Sequence, residues 1–416
     1  MQNKAVEQAQ GRTIVKKLFV VGTLDTKADE LAYASRMAQA AGVAVSVVDV
    51  STQNPRPGAE HSAETVADFH PQGRGAVLGL SDRGKAVSAM AEALGRFLKS
   101  REDLGAVLGL GGSGNTALVT EAMRQLPIGV PKLMLSTVAS GNTAPYVGPN
   151  DIAMMYSVVD IAGLNAISRT VIGNAAHAAA GMVRESVAAS AEDRPALGMT
   201  MFGVTTPCVT QVRTALEADY DVAVFHATGV GGQSMEKLAE SGFFAGLIDL
   251  TTTEVADHLF GGVFAATEDR FGAVIRTGLP YVGSVGAVDM INFGARDTVP
   301  PQHEARNLYI HNAQVTLMRT TAEENRAIGA FIVERLNAMT GPVRFLLPLA
   351  GVSAIDAPGK PFYDREADEA LFEAIRSGWQ DDDNRRLIEI DANINDPAFA
   401  AAAIENVKDV MRNGRS

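Results

Sequence analysis

Glycine and small polar residues crowd the ends of several apolar runs, where they could hold an oxyanion. Gly22-Thr23-Leu24-Asp25-Thr26-Lys27, Gly111-Gly112-Ser113-Gly114-Asn115-Thr116 and Ser136-Thr137-Val138-Ala139-Ser140-Gly141-Asn142-Thr143 occupy such places in the first half of the chain. Thr228-Gly229-Val230-Gly231-Gly232-Gln233-Ser234 and Ser284-Val285-Gly286-Ala287-Val288-Asp289 do so in the second. Glycine lets the main chain approach an anion closely, and a helix starting just behind it points unpaired N–H groups at the ligand. The run Gly111–Thr116 is the strongest candidate, because Ser113, Asn115 and Thr116 could add side-chain donors to those of Gly111, Gly112 and Gly114. The competing explanation is a tight strand–helix turn that holds nothing. Ser140, Gly141 and Asn142, and likewise Gly229, Gly231, Gly232 and Ser234, are the candidates in the other loops.

Charged groups near these loops are fewer. Asp25, Thr26 and Lys27 could set a carboxylate and an ammonium beside phosphates, although Asp25 would equally serve as a helix cap. Asp289 could support a magnesium ion directly or through water, or simply shape a turn. Glu254 and His258 lie one helical turn apart, yet a capping glutamate beside an unrelated histidine explains them more simply. His226 ends an expected strand, where either a catalytic or a hydrogen-bonded structural histidine fits. Seven histidines and one cysteine, Cys208, show no zinc spacing, and Asp381–Asp383 reads as a solvated run.

Two motif matches fail on their chemistry. Gly109, Gly111 and Gly114 satisfy G-x-G-x-x-G, but a dinucleotide site expects an acidic residue near the end of the next strand. Lys132–Thr137 supplies none. The run Gly79–Ala86, GLSDRGKA, approximates a phosphate-binding P-loop, with Ala86 where a hydroxyl should reach magnesium. A helix capped by Asp82 accounts for that segment.

Positioning such loops requires strands that deliver them and helices that start behind them. Strands are expected at Leu18–Gly22, Val43–Val50, Gly105–Leu110, Lys132–Thr137 and Met154–Val159, with helices at Lys27–Ala41, Lys85–Lys99, Thr116–Gln125 and Leu164–Val187. A second series of strands is expected at Ala196–Val204, Asp221–His226, Gly246–Leu250, Tyr281–Ser284, Arg306–His311, Val343–Leu347 and Leu387–Ile390. Thr251 with Glu254, and Thr320 with Glu323, have capping-box spacing, and Thr206 precedes Pro207 at a helix start. Alternation of this kind predicts an α/β fold of two Rossmann-like domains, with mainly parallel sheets and a cleft between them. The expected division is a tail over 1–16, one domain over 17–190 and another over 196–416, with Ser190–Pro195 as linker.

The length of 416 residues exceeds what one hydrophobic core usually accommodates. A net charge of −12 with only 6% aromatic residues argues against nucleic acid as a partner. The opening MQNKAVEQAQGRTIVKK lacks the apolar core of a signal peptide, and no apolar run is long enough to span a bilayer. With one cysteine, no intrachain disulfide is possible. A cytoplasmic protein without a membrane partner is the expectation.

Several segments together resemble a known family. They are GTLDTK at Gly22–Lys27, GGSGNTA at Gly111–Ala117 and STVASGNTAPYVGPNDIAMMYSVVDIAGLN at Ser136–Asn165. GMTMFGVTTPCV at Gly198–Val209, FHATGVGGQSME at Phe225–Glu236 and PLAGVSAIDAPGKPFYD at Pro348–Asp364 complete the set. The chain resembles, from about Leu18 to Val410, the ATP-binding domain family of the tomato mosaic virus resistance protein and its uncharacterised bacterial relatives. That resemblance implies ATP as ligand, assistance by magnesium, and a homodimer. An ATP-using enzyme of small-molecule metabolism is the leading expectation. The alternative is a nucleotide-sensing module that regulates a protein partner without turnover.

Overall fold

The computed structural model describes residues 14–185 and 194–413. Residues 1–13 of the expected tail and 190–193 of the expected linker lie outside the described residues. The chain divides into one compact unit up to residue 188 and another from residue 189.

The N-terminal unit runs β1 (Lys17–Gly22), α1 (Leu24–Ala40), β2 (Ala44–Asp49), α2 (Ala63–Ala67), α3 (Gly75–Leu78) and α4 (Arg83–Lys99). It continues β3 (Leu104–Gly111), α5 (Ser113–Arg124), β4 (Lys132–Ser136), α6 (Ala144–Val147), β5 (Ile152–Tyr156) and α7 (Ala166–Arg184). All five strands pair in parallel in the order β2-β1-β3-β4-β5. Strand β1 shows why. Leu18 and Val20 pack with Leu31, Ala34 and Ile172 of α1 and α7, whereas Phe19 and Val21 pack with Met90, Leu94 and Val119 of α4 and α5. A strand that is apolar on both faces must be covered on both faces. From β1 the chain moves outward to β2 and returns to place β3 on the other side of β1, so the turns leaving β1 and β3 part and open a crevice.

The C-terminal unit begins β6 (Ala196–Met201), α8 (Thr206–Leu216), β7 (Asp221–His226), α9 (Val230–Glu240), β8 (Gly246–Thr251), α10 (Glu254–Phe260), α11 (Gly272–Thr277) and β9 (Tyr281–Gly286). It continues β10 (Met290–Phe293), β11 (Leu308–Asn312), β12 (Val315–Arg319), α12 (Ala322–Ala338), β13 (Val343–Pro348), α13 (Arg365–Gly378), β14 (Arg385–Ile390) and α14 (Pro397–Asn413). Six strands form a parallel sheet in the order β14-β13-β9-β8-β6-β7. Both units are therefore α/β layers of the expected Rossmann-like kind.

Local departures from the sequence expectation have local causes. The strand expected at Arg306–His311 forms as β11 and joins β10 and β12 in a separate antiparallel sheet, β10-β12-β11. The capping box at α12 lies one residue later than expected: Thr321 Oγ1 accepts from Glu324 N–H at 3.2 Å, and Glu324 Oε2 accepts from Thr321 N–H at 2.7 Å. Thr320 is instead buried and donates to the Val288 carbonyl. No capping box forms between Thr251 and Glu254, because Thr251 ends β8 and Thr253 occupies the cap position of α10. Asp82 does cap α4, accepting from Lys85 N–H at 3.0 Å. Strand β5 ends at Tyr156, short of the expected Val159, because Val158 has a left-handed φ of 64°.

Candidate anion-binding site

A cavity of about 700 Å³ opens at the carboxyl ends of β1, β2 and β3, where the strand order reverses. Thr23 reaches it from the β1–α1 turn, Asp25, Thr26 and Lys27 from the first turn of α1, and Val50, Thr52 and Gln53 from the segment after β2. Arg83 and Val87 come from one face of α4, Gly112, Ser113, Gly114, Asn115 and Leu118 from the start of α5, and Asp160 from beyond β5. The volume lies within the usual range for small-molecule sites.

Three helix starts were candidates for holding an anion, and their amides meet different fates. At α5 the first helical bond runs from Thr116 N–H to the Gly112 carbonyl at 2.9 Å. The N–H groups of Ser113, Gly114 and Asn115 precede it and donate to no group among the described residues. Gly112 has φ −81° and ψ −168°, a backbone that any residue adopts. A Cβ there would meet Thr137 Oγ1 at 3.7 Å, and one on Gly114 would meet Arg83 Nη2 at 3.7 Å, both ordinary contacts. The fold does not demand these two glycines. Their bareness leaves the amides open to an approaching ligand.

At α1 the amides are already taken. Leu24 N–H donates to Asp49 Oδ1 at 3.0 Å and Asp25 N–H to Ser51 Oγ at 3.2 Å, while those of Thr26 and Lys27 turn back to the Thr23 carbonyl. Asp49 is fully buried, so the protein supplies its own anion here. The same is true at α9. Glu254 Oε1 accepts from Gly229 N–H at 2.6 Å and from Gly232 N–H at 3.1 Å. Arg270 steadies this carboxylate through Nε at 3.2 Å and also pairs with Glu236 and Asp249. Burial pushes the Glu254 carboxyl up to about 7 against the pull of Arg270 and the two amides. A Cβ at Gly229, Gly231 or Gly232 would come within 2.6 Å of Ala265 O, 1.8 Å of His226 O or 2.1 Å of Glu254 Oε2. Internal packing therefore explains all three glycines.

The remaining expected residues scatter. Thr116 is buried and bonds Gly112 O and Ser136 Oγ, so it braces the turn from beneath. Ser140, Gly141 and Asn142 form an exposed turn after β4, in which Gly141 N–H donates to Val138 O and Asn142 Oδ1 accepts from Ala144 N–H. Ser234 Oγ bonds back to Val230 O. None of these lines the cavity. Asp289 is fully buried, accepts from Ser353 Oγ at 2.8 Å and faces Arg319, with Asp356 and Asp368 in the same cluster. Burial lifts its carboxyl to about 6. It belongs to the C-terminal unit and is not among the residues that line the cavity. Among the described residues, no three or more His, Cys, Asp or Glu side chains gather to hold a metal.

Sequence reasoning missed Arg83, Asp160, Thr52 and Gln53. Arg83 sits at the first position of α4, directly after the Asp82 cap, in the segment set aside as a failed P-loop. Neither the Arg83 nor the Lys27 side chain has a hydrogen-bond or ion-pair partner among the described residues. Asp160 follows a strained turn: Val159 N–H donates to Ser157 O at 2.7 Å around Val158, a β-branched residue held at φ 64°. Such three-residue turns with positive φ are rare.

The N-terminal unit is thus an open parallel α/β sheet with a crevice at its strand-order reversal, lined by the start of α5, in a chain with a second unit of similar architecture. Residues 16–188 match the N-terminal domain, and residues 194–411 the C-terminal domain, of the uncharacterised protein family UPF0261; the chain belongs to that family. It is 56% identical to the UPF0261 protein mlr3387 of Mesorhizobium japonicum, over 93% of this chain and 98% of the relative. It is 42% identical to a UPF0261 protein of Clostridium tetani over 95% of this chain and 99% of that one. The ToMV resistance protein Tm-1(GCR237) of Solanum lycopersicum is 42% identical over 96% of this chain, which spans 56% of the tomato protein. Among the described residues, no helix is long and apolar enough to cross a membrane.

Proposed function

We propose that the cavity at the start of α5 binds the phosphates of a nucleotide, ATP accompanied by magnesium, and that the protein is an ATP-using enzyme of small-molecule metabolism acting as a homodimer. The observation that carries the phosphate site is the set of three unbonded amides of Ser113, Gly114 and Asn115, opening into a cavity through glycines the fold does not require. A helix start in this state favours an anion through both its donors and its dipole. Arg83 and Lys27, unpaired on the cavity walls, add positive charge where phosphate would lie. Val50, Val87 and Leu118 supply one apolar wall suited to a base. ATP, when bound, supplies an activated phosphoryl group. The protein's part is to position it and to balance its charge.

In a second reading binding alone is the output and a protein partner is regulated. Release of ADP, AMP or phosphate from MgATP in the presence of metabolite pools distinguishes the two.

The binding step is tested by thermal unfolding of the full chain with nucleotides, with and without magnesium. Arg83→Ala is expected to weaken affinity about 10- to 100-fold, since a hydrogen bond to a charged group is worth roughly 1.5–3 kcal/mol, while the unliganded melting temperature stays the same. Absence of any shift with nucleotides, tripolyphosphate or inorganic phosphate refutes the proposal.

A further inference from the structure

The segment between β2 and α2 makes a detour. Asp49 N–H donates to the His61 carbonyl at 2.9 Å and His61 N–H to the Val47 carbonyl at 3.0 Å, so the chain that leaves β2 comes back to lie beside it. Both ends of the intervening loop are fixed. Ser51 Oγ donates to Asp49 Oδ1 at 2.6 Å, Glu60 pairs with Lys17 at 3.0 Å, and Ala59 packs on the core that contains Leu24. Between these anchors, Thr52–Ala59 make no hydrogen bond among the described residues. Surface loops with adjoining ends are frequently functional, and a loop without hydrogen bonds of its own rearranges at little cost.

The same loop borders the cavity. Thr52 and Gln53 line it, and a Cβ on Gly58 would meet Leu24 Cδ2, at the start of α1, at 3.6 Å. Arg56 stands between those contacts, at most about 11 Å of extended chain from Gln53. It is exposed, and its side chain has no partner among the described residues. Pro55 and Pro57 flank it. Neither has an N–H to bond, and a residue ahead of proline is held extended, so the arginine is carried on a short stiff stretch of an otherwise unattached loop. In the lining itself Lys27 and Arg83 are matched in number by Asp25 and Asp160. A polyphosphate entering there meets open amides but no net positive charge, and Arg56 is a cation beside the lining that no carboxylate has claimed.

Resting on the phosphate site proposed above, we infer that Ser51–Glu60 is a strap that closes over the bound ligand, and that Arg56 caps the phosphates from the solvent side. Closure breaks no backbone hydrogen bond within Thr52–Ala59. Gly58, at φ 125°, supplies a pivot in a conformation that residues with a Cβ rarely adopt. Covering the phosphates removes water from them, which strengthens every charged contact beneath the strap.

The test follows deuterium exchange of the full chain by mass spectrometry in MgCl₂, without and with saturating tripolyphosphate, alongside calorimetric affinities. In the free protein the strap amides are expected to exchange at nearly unprotected rates. Tripolyphosphate should slow exchange both at Ser113–Asn115 and within Thr52–Ala59. Unbonded amides exchange without unfolding, so slower exchange in the strap cannot come from a general gain in stability. Arg56→Ala should weaken binding about tenfold, the loss of one hydrogen bond to a charged group. At saturation it should keep protection at Ser113–Asn115 and lose it in the strap, with an unchanged melting temperature in the free protein, and Arg56→Lys should recover part of the affinity. Protection at Ser113–Asn115 with a strap that still exchanges freely overturns the strap and leaves the phosphate site standing. Wild-type affinity in Arg56→Ala does the same. No binding and no protection at either place overturns the phosphate site and the strap together.

Discussion

Gly112→Val separates a ligand-binding glycine from a structural one. The backbone of Gly112 lies in the extended region and its Cβ position meets nothing closer than 3.7 Å. Loss of unfolded-state freedom stabilises such a substitution by about 0.4–1 kcal/mol, and a poorer helix cap destabilises it by roughly the same amount. The unliganded protein should therefore melt almost unchanged. Binding is another matter, since the valine methyls would stand in front of the α5 amides. Losing two charge-assisted hydrogen bonds at roughly 1.5–3 kcal/mol each weakens affinity about 10²- to 10⁴-fold. At a ligand concentration a hundred times the wild-type dissociation constant, binding stabilises the wild type by about 2.7 kcal/mol. A hundredfold weaker variant retains about 0.4 kcal/mol by the same relation. For a unit of this size, that is a fall from roughly 5–10 °C of ligand-induced shift to about 1–2 °C. Gly232→Ala is the contrast. Its Cβ would lie 2.1 Å from Glu254 Oε2, forcing the carboxylate off two amides and away from Arg270, at a loss of about 3–5 kcal/mol. A Gly112→Val protein whose ligand shift equals that of the wild type would show that the α5 start holds no phosphate.

Two further outcomes follow from groups outside the cavity floor. Val158→Gly should leave stability unchanged or raise it by up to about 1 kcal/mol, because a left-handed φ disfavours an L-residue by roughly 1–2 kcal/mol and glycine returns part of that through unfolded-state entropy; chemical denaturation showing a clear loss refutes the strained turn. The C-terminal unit should be more stable at pH 5.5 than at pH 8, because burial raises the carboxyls of Glu254, Asp257 and Asp368 to about 7 and those of Asp289 and Asp356 to about 6. The folded state holds these protons more tightly than the unfolded one, so the stability they contribute is present near pH 4 and is lost as pH rises through 6–7. Trp379 is the lone tryptophan and lies in this unit, so its fluorescence reports the urea midpoint there. A midpoint that climbs from pH 5.5 to pH 8 contradicts the assignment.

Much of the scaffold was legible because strand burial on both faces writes itself as an unbroken apolar run. Leu18–Val21 and Ala106–Leu110 could belong to little else. The strand–helix turn at Gly111–Thr116 was legible for a similar reason, since glycine and hydroxyl residues directly after such a run mark one. What the chain could not reveal by spacing was which glycine turns were already filled. Asp49 and Glu254 each sit 25 positions from the amides they satisfy at Leu24 and Gly229. Neither looks unusual in its own segment. Arg83 was hidden in a different way. Rejecting the P-loop was sound, because Asp82 caps α4, but the residue after a cap is where a helix start can aim a cation. Asp160 depends on a backbone turn at Val158 that no propensity anticipates.

The contrast among the helix starts narrows the chemistry more than any one of them does alone. An N-terminal turn offers donors that must be met by water, by protein or by a ligand. At α1 and α9 a carboxylate from a neighbouring segment has been recruited, and the glycines at α9 exist to admit it. At α5 the two carboxylates of the cavity lining, Asp25 and Asp160, accept from none of the open amides, the glycines admit nothing from the protein, and the side chain of the arginine facing Gly114 is unpaired. Had the fold needed only a satisfied helix end, an acidic side chain would have served there as it does at the other two. The open start of α5 therefore favours the proposed ligand, an anion that comes and goes, over a helix end the protein satisfies for itself.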